Sequence, residues 1–175
     1  NRAVSFQGDP GFLYKANLCL RTAIRILVPI HDFRLRSVDE LYRGILRIDW
    51  ETFLSPQDSF AVRCTLNSPY LDHTQFAMQR TKDAIVDRFR ERYGQRPSVD
   101  TDDPDVRIHV HVIGDHCQVS LDSSGGSLHE RGYRSETGSA PINEVLAAGM
   151  VQLSGWDPRR PLVDPMCGSG TIAIE

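Results

Sequence analysis

The sequence has 175 residues, of which 40% are hydrophobic and 25% are charged, and its formal net charge is −3 at pH 7. This balance predicts a folded globular chain of one ordinary domain or two small ones, and it excludes binding of nucleic acid through bulk positive charge alone. No apolar run approaches the roughly 18 residues that a membrane helix needs, and residues 1–6 lack a basic flank followed by an apolar stretch, so we expect neither a membrane span nor an export signal.

The cysteines do not form pairs of the Cys-x-x-Cys kind, which argues against a zinc ribbon or a disulfide framework. They lie at Cys19, Cys64, Cys117 and Cys167. A reducing cytoplasm therefore fits the sequence best. Because Asn1 is not an initiator methionine and the chain stops at Glu175 shortly after a glycine-rich turn, we expect a fragment cut at both ends. No pattern in the sequence indicates an oligomeric state.

The first third of the chain alternates helical and extended patterns. Apolar residues at three-and-four spacing predict a helix over residues 10–27, and residues 26–33 have the pattern of a short strand. A Ser-Val-Asp-Glu capping box opens a predicted helix over residues 37–48. Alternation of apolar and polar residues over residues 60–67 then predicts a half-buried strand.

The middle of the chain predicts a long helix and a hairpin. Asp72 and Gln75 are the expected cap of a helix that ends at Gly94. Residues 98–105 hold four aspartates and a proline, which predicts a solvated loop. Alternation returns in both halves of residues 106–121 around a Gly-Asp turn, and this predicts a β-hairpin.

The last third begins with a linker pattern, because residues 123–139 are rich in serine and glycine. A helix is predicted over residues 141–153, with Gly155 just past its end. Residues 161–164 have the pattern of a short strand, and a new helix is expected to begin at Thr171.

The turn between that strand and that helix is the strongest candidate binding site. It consists of Asp164, Pro165, Met166, Cys167, Gly168, Ser169, Gly170 and Thr171. Glycines let backbone approach a ligand, and a helix start offers free amides to an anionic group. The turn lacks the lysine of a Walker loop and the full Gly-x-Gly-x-x-Gly pattern. A tight strand-to-helix connection without a ligand is the alternative interpretation.

This turn resembles the S-adenosylmethionine loop of amino-group methyltransferases. Other segments resemble RNA methyltransferases that join a THUMP domain to a class I catalytic domain, and they lie at residues 73–77, 121–134, 140–148 and 153–156. The likeness extends from Val4 to Glu175. The chain is similar to the THUMP-containing N2-guanine RNA methyltransferases, close to those of large-subunit ribosomal RNA.

The resemblance implies an α/β fold, with a ferredoxin-like and THUMP RNA-binding module followed by the first strand and helix start of a Rossmann-like class I methyltransferase domain. The expected limits are residues 1–50 for a partial ferredoxin-like part, 51–134 for the THUMP domain and 135–175 for the incomplete methyltransferase domain. The chain is thus expected to divide near residue 135. The implied partner is structured RNA, ribosomal rather than transfer RNA.

The implied reaction moves a methyl group from S-adenosylmethionine to the exocyclic amine of a guanine. The family's Asn-Pro-Pro-Tyr type motif and its ribose-binding acidic residue are absent from this sequence. We therefore expect no catalytic residue in this chain and an incomplete cofactor site. Two alternatives stay open: an RNA-binding module that is inactive as a fragment, and an adenine-N6 methyltransferase acting on DNA, which shares the glycine loop.

Within the loop, each side chain has an expected role. Asp164 is expected to orient the loop or meet the cofactor's amino group, with a local capping role as the alternative. Gly168 and Gly170 are expected to permit close backbone approach, and Thr171 to face the carboxylate. Cys167 is expected to line the site, because amine methylation needs no covalent enzyme intermediate.

Residues 79–97 hold six basic and three acidic side chains, the strongest basic patch of the chain. The candidate RNA contacts are Gln75, Arg80, Lys82, Arg88, Arg92, Arg131 and Arg134, the last two from the linker. Lys82 falls within an apolar helical stripe, so a snorkelling lysine with a carboxylate partner is its alternative role. A merely solvated helix face is the alternative for the whole patch.

Three histidines on the hairpin are candidate metal ligands. His109 and His111 share the polar face of one strand and His116 lies across the turn, but no supporting ligand pattern accompanies them. We therefore predict no metal site.

Overall fold

The computed structural model describes residues 3–133 and 142–175. The chain forms two compact units, Leu27–Ser123 and the pair of segments Asn1–Ile26 and Ser124–Glu175. These units divide the chain at other points than the expected domain limits, which stay a prediction. Among the described residues, no helix combines the length and the apolar character that crossing a bilayer requires.

The first unit, Leu27–Ser123, is built on a five-stranded mixed sheet with the strand order β1-β5-β4-β2-β3. The strands are β1 (Leu27–Arg34), β2 (Ser59–Asn67), β3 (Ser98–Val99), β4 (Val106–Ile113) and β5 (His116–Asp122). Strand β2 runs parallel to both of its neighbours, β3 and β4. The predicted hairpin is confirmed, because β4 and β5 pair antiparallel, and β1 adds to the far side of β5.

Two helices, α2 (Val38–Leu46) and α3 (Thr74–Tyr93), belong to the same unit. The predicted alternation is confirmed along β2 and β4, where every second side chain is buried. The core joins those side chains to the apolar faces of both helices, and its fully buried members include Phe60, Ile108, Val110, Val112, Val119, Leu41, Ile45, Ala84, Ile85 and Phe89. Burial of each large apolar side chain stabilises the fold by about 1.5–3 kcal/mol relative to exposure.

The capping box that opens α2 is confirmed. Ser37 Oγ accepts a hydrogen bond from the Glu40 amide at 3.2 Å, and the Glu40 carboxylate accepts one from the Arg36 amide at 2.6 Å. A short 3-10 turn, Trp50–Thr52, follows α2. The fully buried Trp50 donates from Nε1 to the Ile45 carbonyl at 2.8 Å, which fastens this turn to the end of the helix.

The predicted start of α3 is wrong in one respect. Its N-cap residue is His73, which makes no capping hydrogen bond. Asp72 lies one residue too early to cap, and its carboxylate lies 3.7 Å from His73 Nε2 instead. The predicted end is confirmed: Gly94 has a φ of 66° and donates to the Arg90 carbonyl. Glycine takes this left-handed conformation without steric penalty.

The loop predicted for residues 98–105 is also wrong at its beginning. Ser98–Val99 form the edge strand β3. Ser98 donates to the Asp58 carbonyl at 3.0 Å and Asp100 donates to the Phe60 carbonyl at 3.2 Å. A strand this short has no periodicity of its own, so only the pairing with β2 reveals it.

A half-buried ion pair joins α3 to the turn after α2. Arg88 donates to both carboxylate oxygens of Glu51 at 2.7–3.0 Å, to Asp49 at 2.7 Å and to the Leu46 carbonyl at 3.1 Å. The side chains of Arg88 and Glu51 are only 20% and 15% exposed. Hydrogen bonding from Arg88 lowers the pKa of Glu51 to about 2.

The second unit contains helices α1 (Pro10–Cys19), α4 (Glu144–Leu153) and α5 (Thr171–Ile174). The predicted extension of the first helix to residue 27 is wrong, because Leu20 is already extended. Of the residues in α1 only Ala16 is buried. The chain beyond it bonds elsewhere: Ile24 accepts from the Leu128 amide at 2.9 Å and Ile26 donates to Ser124 Oγ at 2.8 Å.

The later elements of this unit match the sequence in part. Asn143 caps α4 by accepting from the Leu146 amide at 3.2 Å, and Gly155 follows its end with a φ of 66°. The predicted first residue of this helix, Pro141, and linker residues 134–139 lie outside the described residues. Residues 161–164 form no strand, because none of the strands in the described ranges pairs with them.

A glycine in α2 predicts a sharp packing effect. An added Cβ at Gly44 would lie 2.1 Å from the Phe33 ring. We expect Gly44→Ala to lower the free energy of unfolding by about 1–3 kcal/mol, because the ring has to move within the core. Urea unfolding followed by Trp50 fluorescence in a Trp156→Phe background measures it. In a Phe33→Leu background the same substitution is expected to cost less, and an equal cost in both backgrounds would contradict the packing explanation.

The Arg88–Glu51 pair predicts a dependence of stability on pH. The folded-state pKa of Glu51 is about 2, below the unfolded value of about 4.3. Its contribution is therefore present above about pH 4.3 and is lost as the pH falls toward 2. We expect Arg88→Met to cost about 2–4 kcal/mol at pH 7 and to flatten this loss.

The matched control is Arg34→Met, which breaks the pair with Asp115 at a 78% exposed arginine side chain. We expect a cost of at most about 1 kcal/mol for this control. Urea unfolding at several pH values measures both variants. If the free energy of unfolding falls equally steeply with acid in wild type and Arg88→Met, the pH dependence does not come from Glu51.

Candidate functional site

The glycine loop, residues 164–170, closes on itself through local hydrogen bonds. Asp164 Oδ1 accepts from the Met166 amide at 3.0 Å, and Cys167 accepts from the Gly170 amide at 2.8 Å through its carbonyl. Gly168 and Gly170 have φ values of 53° and 76°, which favour glycine. The bond from Met166 is a contact within the loop rather than a helix cap, because Gly170 is the N-cap of α5.

The backbone of this loop is open to a ligand. A Cβ built at Gly168 or Gly170 would meet no atom within 4 Å, and the Met166 side chain is 89% exposed. The helix begins at Thr171 as predicted, but the Thr171 side chain is buried, with only 2% exposure. The loop therefore leaves its backbone accessible at Gly168 and Gly170, and the expected role of these glycines toward a cofactor stays a prediction.

The four thiols divide into two classes. Cys64 and Cys117 are buried in the sheet, and burial raises the pKa of each thiol to about 12. Cys19 and Cys167 are exposed. Because reactivity follows exposure and thiolate content, only the exposed pair is available to reagents in the folded protein.

A groove of about 410 Å³ runs along α3 beside β3. Its lining combines apolar side chains with cations and two carboxylates, among them Gln75, Met78, Arg80, Lys82, Asp83, Asp87, Arg90, Arg96 and Val99. The structure thus brings together three predicted RNA contacts, Gln75, Arg80 and Lys82. It also adds Arg90 and Arg96, which belong to the basic patch but are not among the predicted contacts. Arg96 lies beyond the helix end, so its placement depends on the strand that follows.

The cations of this groove differ in whether other side chains of the fold bind them. Arg80 is placed 4.5 Å over the Tyr42 ring, with Asp39 and Asp83 each 3.8 Å away. Lys82 is half-buried and Arg96 is exposed, and neither forms an ion pair with a residue in the described ranges. The snorkelling alternative for Lys82 required a carboxylate partner, and the described part of the chain supplies none within ion-pair distance.

Arg88 and Arg92, two further predicted contacts, do not line the groove. Arg88 is held by Glu51, Asp49 and a carbonyl, and Arg92 Nη1 lies 3.0 Å from Glu51 Oε1. Both cations are thus used within the fold. Charge counting could not separate them from free cations, since the residue that binds them is distant in sequence.

Of the two linker arginines, only Arg131 lies within the described residues. Arg131 is only 17% exposed and forms an ion pair with Glu175, while its Nε donates to the Leu128 carbonyl at 3.3 Å. Its guanidinium therefore serves an intramolecular contact that the sequence did not suggest. Arg134 lies outside the described residues.

The hairpin histidines stand near one another without forming a metal cluster. The ring centroids of His109 and His111 are 6.4 Å apart, and His116 pairs with Ile113 across the turn. Across the two described ranges, no three histidine, cysteine or acidic side chains converge in a way that could hold a metal ion.

Three families match successive parts of the chain. The RlmL ferredoxin-like domain matches residues 1–27, the THUMP domain matches residues 36–122, and the RMKL-like methyltransferase domain matches residues 131–175. Together they follow the order of modules that the sequence resemblance implies.

Curated relatives are similar over nearly the whole chain. The ribosomal RNA large subunit methyltransferase K/L of Desulfotalea psychrophila is 47% identical over 98% of this chain. A Synechocystis protein that is provisionally named as an RNA methyltransferase is 45% identical over 98% of this chain. The chain spans only 24% and 45% of the lengths of these two relatives.

Solved structures share the fold. A Listeria monocytogenes protein described as a predicted N6-adenine-specific DNA methylase is 35% identical, with a TM-score of 0.80 over 95% of this chain and 44% of its own. SMU.472, provisionally assigned as a methyltransferase and crystallised with S-adenosylhomocysteine, is 35% identical with a TM-score of 0.79 and the same coverage. The mixed α/β fold predicted from the sequence is thereby confirmed, and the chain belongs to the family of proteins that join a THUMP domain to an RMKL-like methyltransferase domain.

Proposed function

We propose that the protein to which this chain belongs transfers a methyl group from S-adenosylmethionine to the N2 amine of a guanine in structured RNA, ribosomal rather than transfer RNA. The observation that carries the proposal is the presence of a THUMP domain and an RMKL-like methyltransferase domain on one chain. The name of the Desulfotalea relative supports ribosomal RNA as the substrate. This chain supplies the RNA-binding part and the first cofactor loop.

The cofactor is held by the glycine loop in this proposal. S-adenosylmethionine supplies an activated methyl group. Gly168 and Gly170 present open backbone to it, and Met166 and Cys167 lie exposed beside them. The bound S-adenosylhomocysteine of SMU.472 supports S-adenosylmethionine as the cofactor. These residues bind and orient the donor, and orientation of two reactants can account for much of a rate enhancement without a covalent step.

RNA is bound along the groove of α3. Lys82 and Arg96 offer ammonium and guanidinium groups that form no ion pair within the described residues, and Gln75 lies in the same groove. Arg90 also lines the groove, but Asp87 lies 3.8 Å from its guanidinium group. Cations of this kind position a nucleic acid through its phosphates, with little dependence on sequence. Arg88, Arg92 and Arg131 are left out of the proposal, because their guanidinium groups already bind carboxylates within the fold.

A second candidate is methylation of adenine N6 in DNA, which the description of the Listeria structure favours. The glycine loop is common to both reactions and does not separate them. The THUMP domain favours RNA, so the nucleic acid that this chain prefers decides between the two candidates. A third outcome is a module that binds RNA while the cofactor loop stays inactive.

For the groove, we expect Lys82→Ala and Arg96→Ala each to weaken binding of a structured RNA about threefold to tenfold at low salt. Each is also expected to reduce the slope of log affinity against log salt by about 1. Fluorescence anisotropy at several salt concentrations measures both quantities. The matched control is Arg63→Ala, which removes the same charge from an exposed position on β2 outside the groove.

Equal losses in the control and in the groove variants would show a diffuse charge effect and contradict the groove. Tighter binding of a matched DNA duplex than of RNA would favour adenine methylation of DNA.

For the cofactor loop, we expect two of the four thiols, Cys19 and Cys167, to react rapidly with a chromogenic disulfide reagent. Cys64 and Cys117 are expected to react only after unfolding, because burial raises the pKa of each to about 12. Saturating S-adenosylhomocysteine is expected to slow Cys167 at least about tenfold and to leave Cys19 unchanged. Stopped-flow labelling of the full-length protein measures this, with each exposed cysteine replaced by serine in turn. An unprotected Cys167 in the presence of bound ligand would place the ligand elsewhere.

A further inference from the structure

A buried carboxylate lies one helical turn beyond the glycine loop. Glu175 follows α5, and its side chain has no exposed surface. Its amide donates to the Thr171 carbonyl at 3.1 Å, so the two residues lie on the same side of the helix. Because Thr171 is also buried, this side of α5 is the one that packs inside the unit.

Three donors from elsewhere in the unit converge on this carboxylate. Arg21 Nη1 donates to Oε2 of Glu175 at 2.8 Å, and Arg131 Nη1 donates to the same oxygen. Tyr133 Oη donates to Oε1 at 2.9 Å. A buried carboxylate is stable only when charge and hydrogen bonds compensate its lost hydration, and here both oxygens are satisfied. We call these four side chains the Glu175 clasp.

The segments that carry the donors are bonded to each other as well. Arg131 donates to the carbonyls of Leu128 and Arg21, and the Leu128 amide donates to the Ile24 carbonyl at 2.9 Å. The clasp therefore fastens α5 to a small framework made from residues 21–24 and 128–133, which are distant from α5 in sequence.

We propose that Glu175, Arg21, Arg131 and Tyr133 are positioning residues for the glycine loop, and that they set its affinity for the cofactor without touching it. The inference rests on the proposed function, in which this loop binds S-adenosylmethionine. The two backbone contacts within the loop are local, so they shape it without placing it. Placement falls to α5, whose buried side carries Thr171 and Glu175.

The consequence for binding is direct. The loop offers backbone at Gly168 and Gly170, and backbone contacts depend on the position of the whole segment rather than on one adjustable side chain. Loss of the Glu175 charge leaves the guanidinium groups of Arg131, 17% exposed, and Arg21, 48% exposed, without their shared partner. The end of α5 then loses its attachment, and the loop before it gains freedom that ligand binding has to remove.

The test uses the full-length protein and S-adenosylhomocysteine as the probe. Glu175→Gln keeps the shape of the side chain and removes its charge. We expect the dissociation constant measured by calorimetry to rise about tenfold, and hydrogen exchange of the amides of residues 166–171 to accelerate about tenfold without ligand. Tyr133→Phe is a milder variant for the case that Glu175→Gln does not fold, with about a threefold rise in both quantities expected.

Two comparisons separate positioning from general stability. Arg131→Lys is expected to retain more affinity than Arg131→Met, because it keeps a charge beside Glu175. Arg159→Gln breaks an exposed ion pair with Asp157 in the same unit and is expected to change neither quantity. RNA affinity is expected to stay at the wild-type value in all four clasp variants.

Wild-type affinity and wild-type exchange in both Glu175→Gln and Tyr133→Phe would overturn the inference. Failure of the wild-type protein to bind S-adenosylhomocysteine would instead reject the proposed cofactor. Hydrogen exchange of the loop would still decide in that case whether the clasp positions it.

Discussion

The parallel pairing of β2 with β4 is the constraint on which the sheet unit depends. Eight residues of each strand are in register, from Phe60 with Val106 to Asn67 with Ile113. Parallel neighbours cannot be joined by a tight turn, so the chain has to cross over the sheet between them. The long helix α3 is that crossover. Its buried side completes the core, and its outer side forms the groove and the arginine contacts.

Much of this architecture could be predicted because it depends on patterns among residues that are close in the sequence. Alternation in β2 and the hairpin, the capping box at Ser37 and the left-handed Gly94 each depend on a few neighbouring residues. The elements that the sequence predicted wrongly depend on long-range contacts instead. The end of α1, the edge strand β3 and the absence of a strand at residues 161–164 all depend on which distant segment offers a hydrogen-bonding partner.

The candidate site also has one part that local sequence predicts and one part that depends on distant residues. The glycine loop was visible in the sequence, because its turn residues are contiguous and glycine has few other reasons to occupy such positions. The basic patch was visible only as a sum of charges. Whether an arginine is free depends on carboxylates far away in the chain, such as Glu51 for Arg88 and Glu175 for Arg131. The fold removes these cations from the surface charge that a partner meets.

The sheet unit has a further property in the way its chain enters and leaves. Leu27 and Asp122, at its two ends, are directly paired residues of neighbouring strands, and such Cα atoms lie only about 4.5–5.5 Å apart. A segment whose ends meet in this way can be inserted into, or removed from, another chain without stretching it. The unit therefore has the geometry of an inserted domain whose two ends are adjacent. Such a unit can be exchanged between related proteins by recombination or by engineering without a change in the flanking segments.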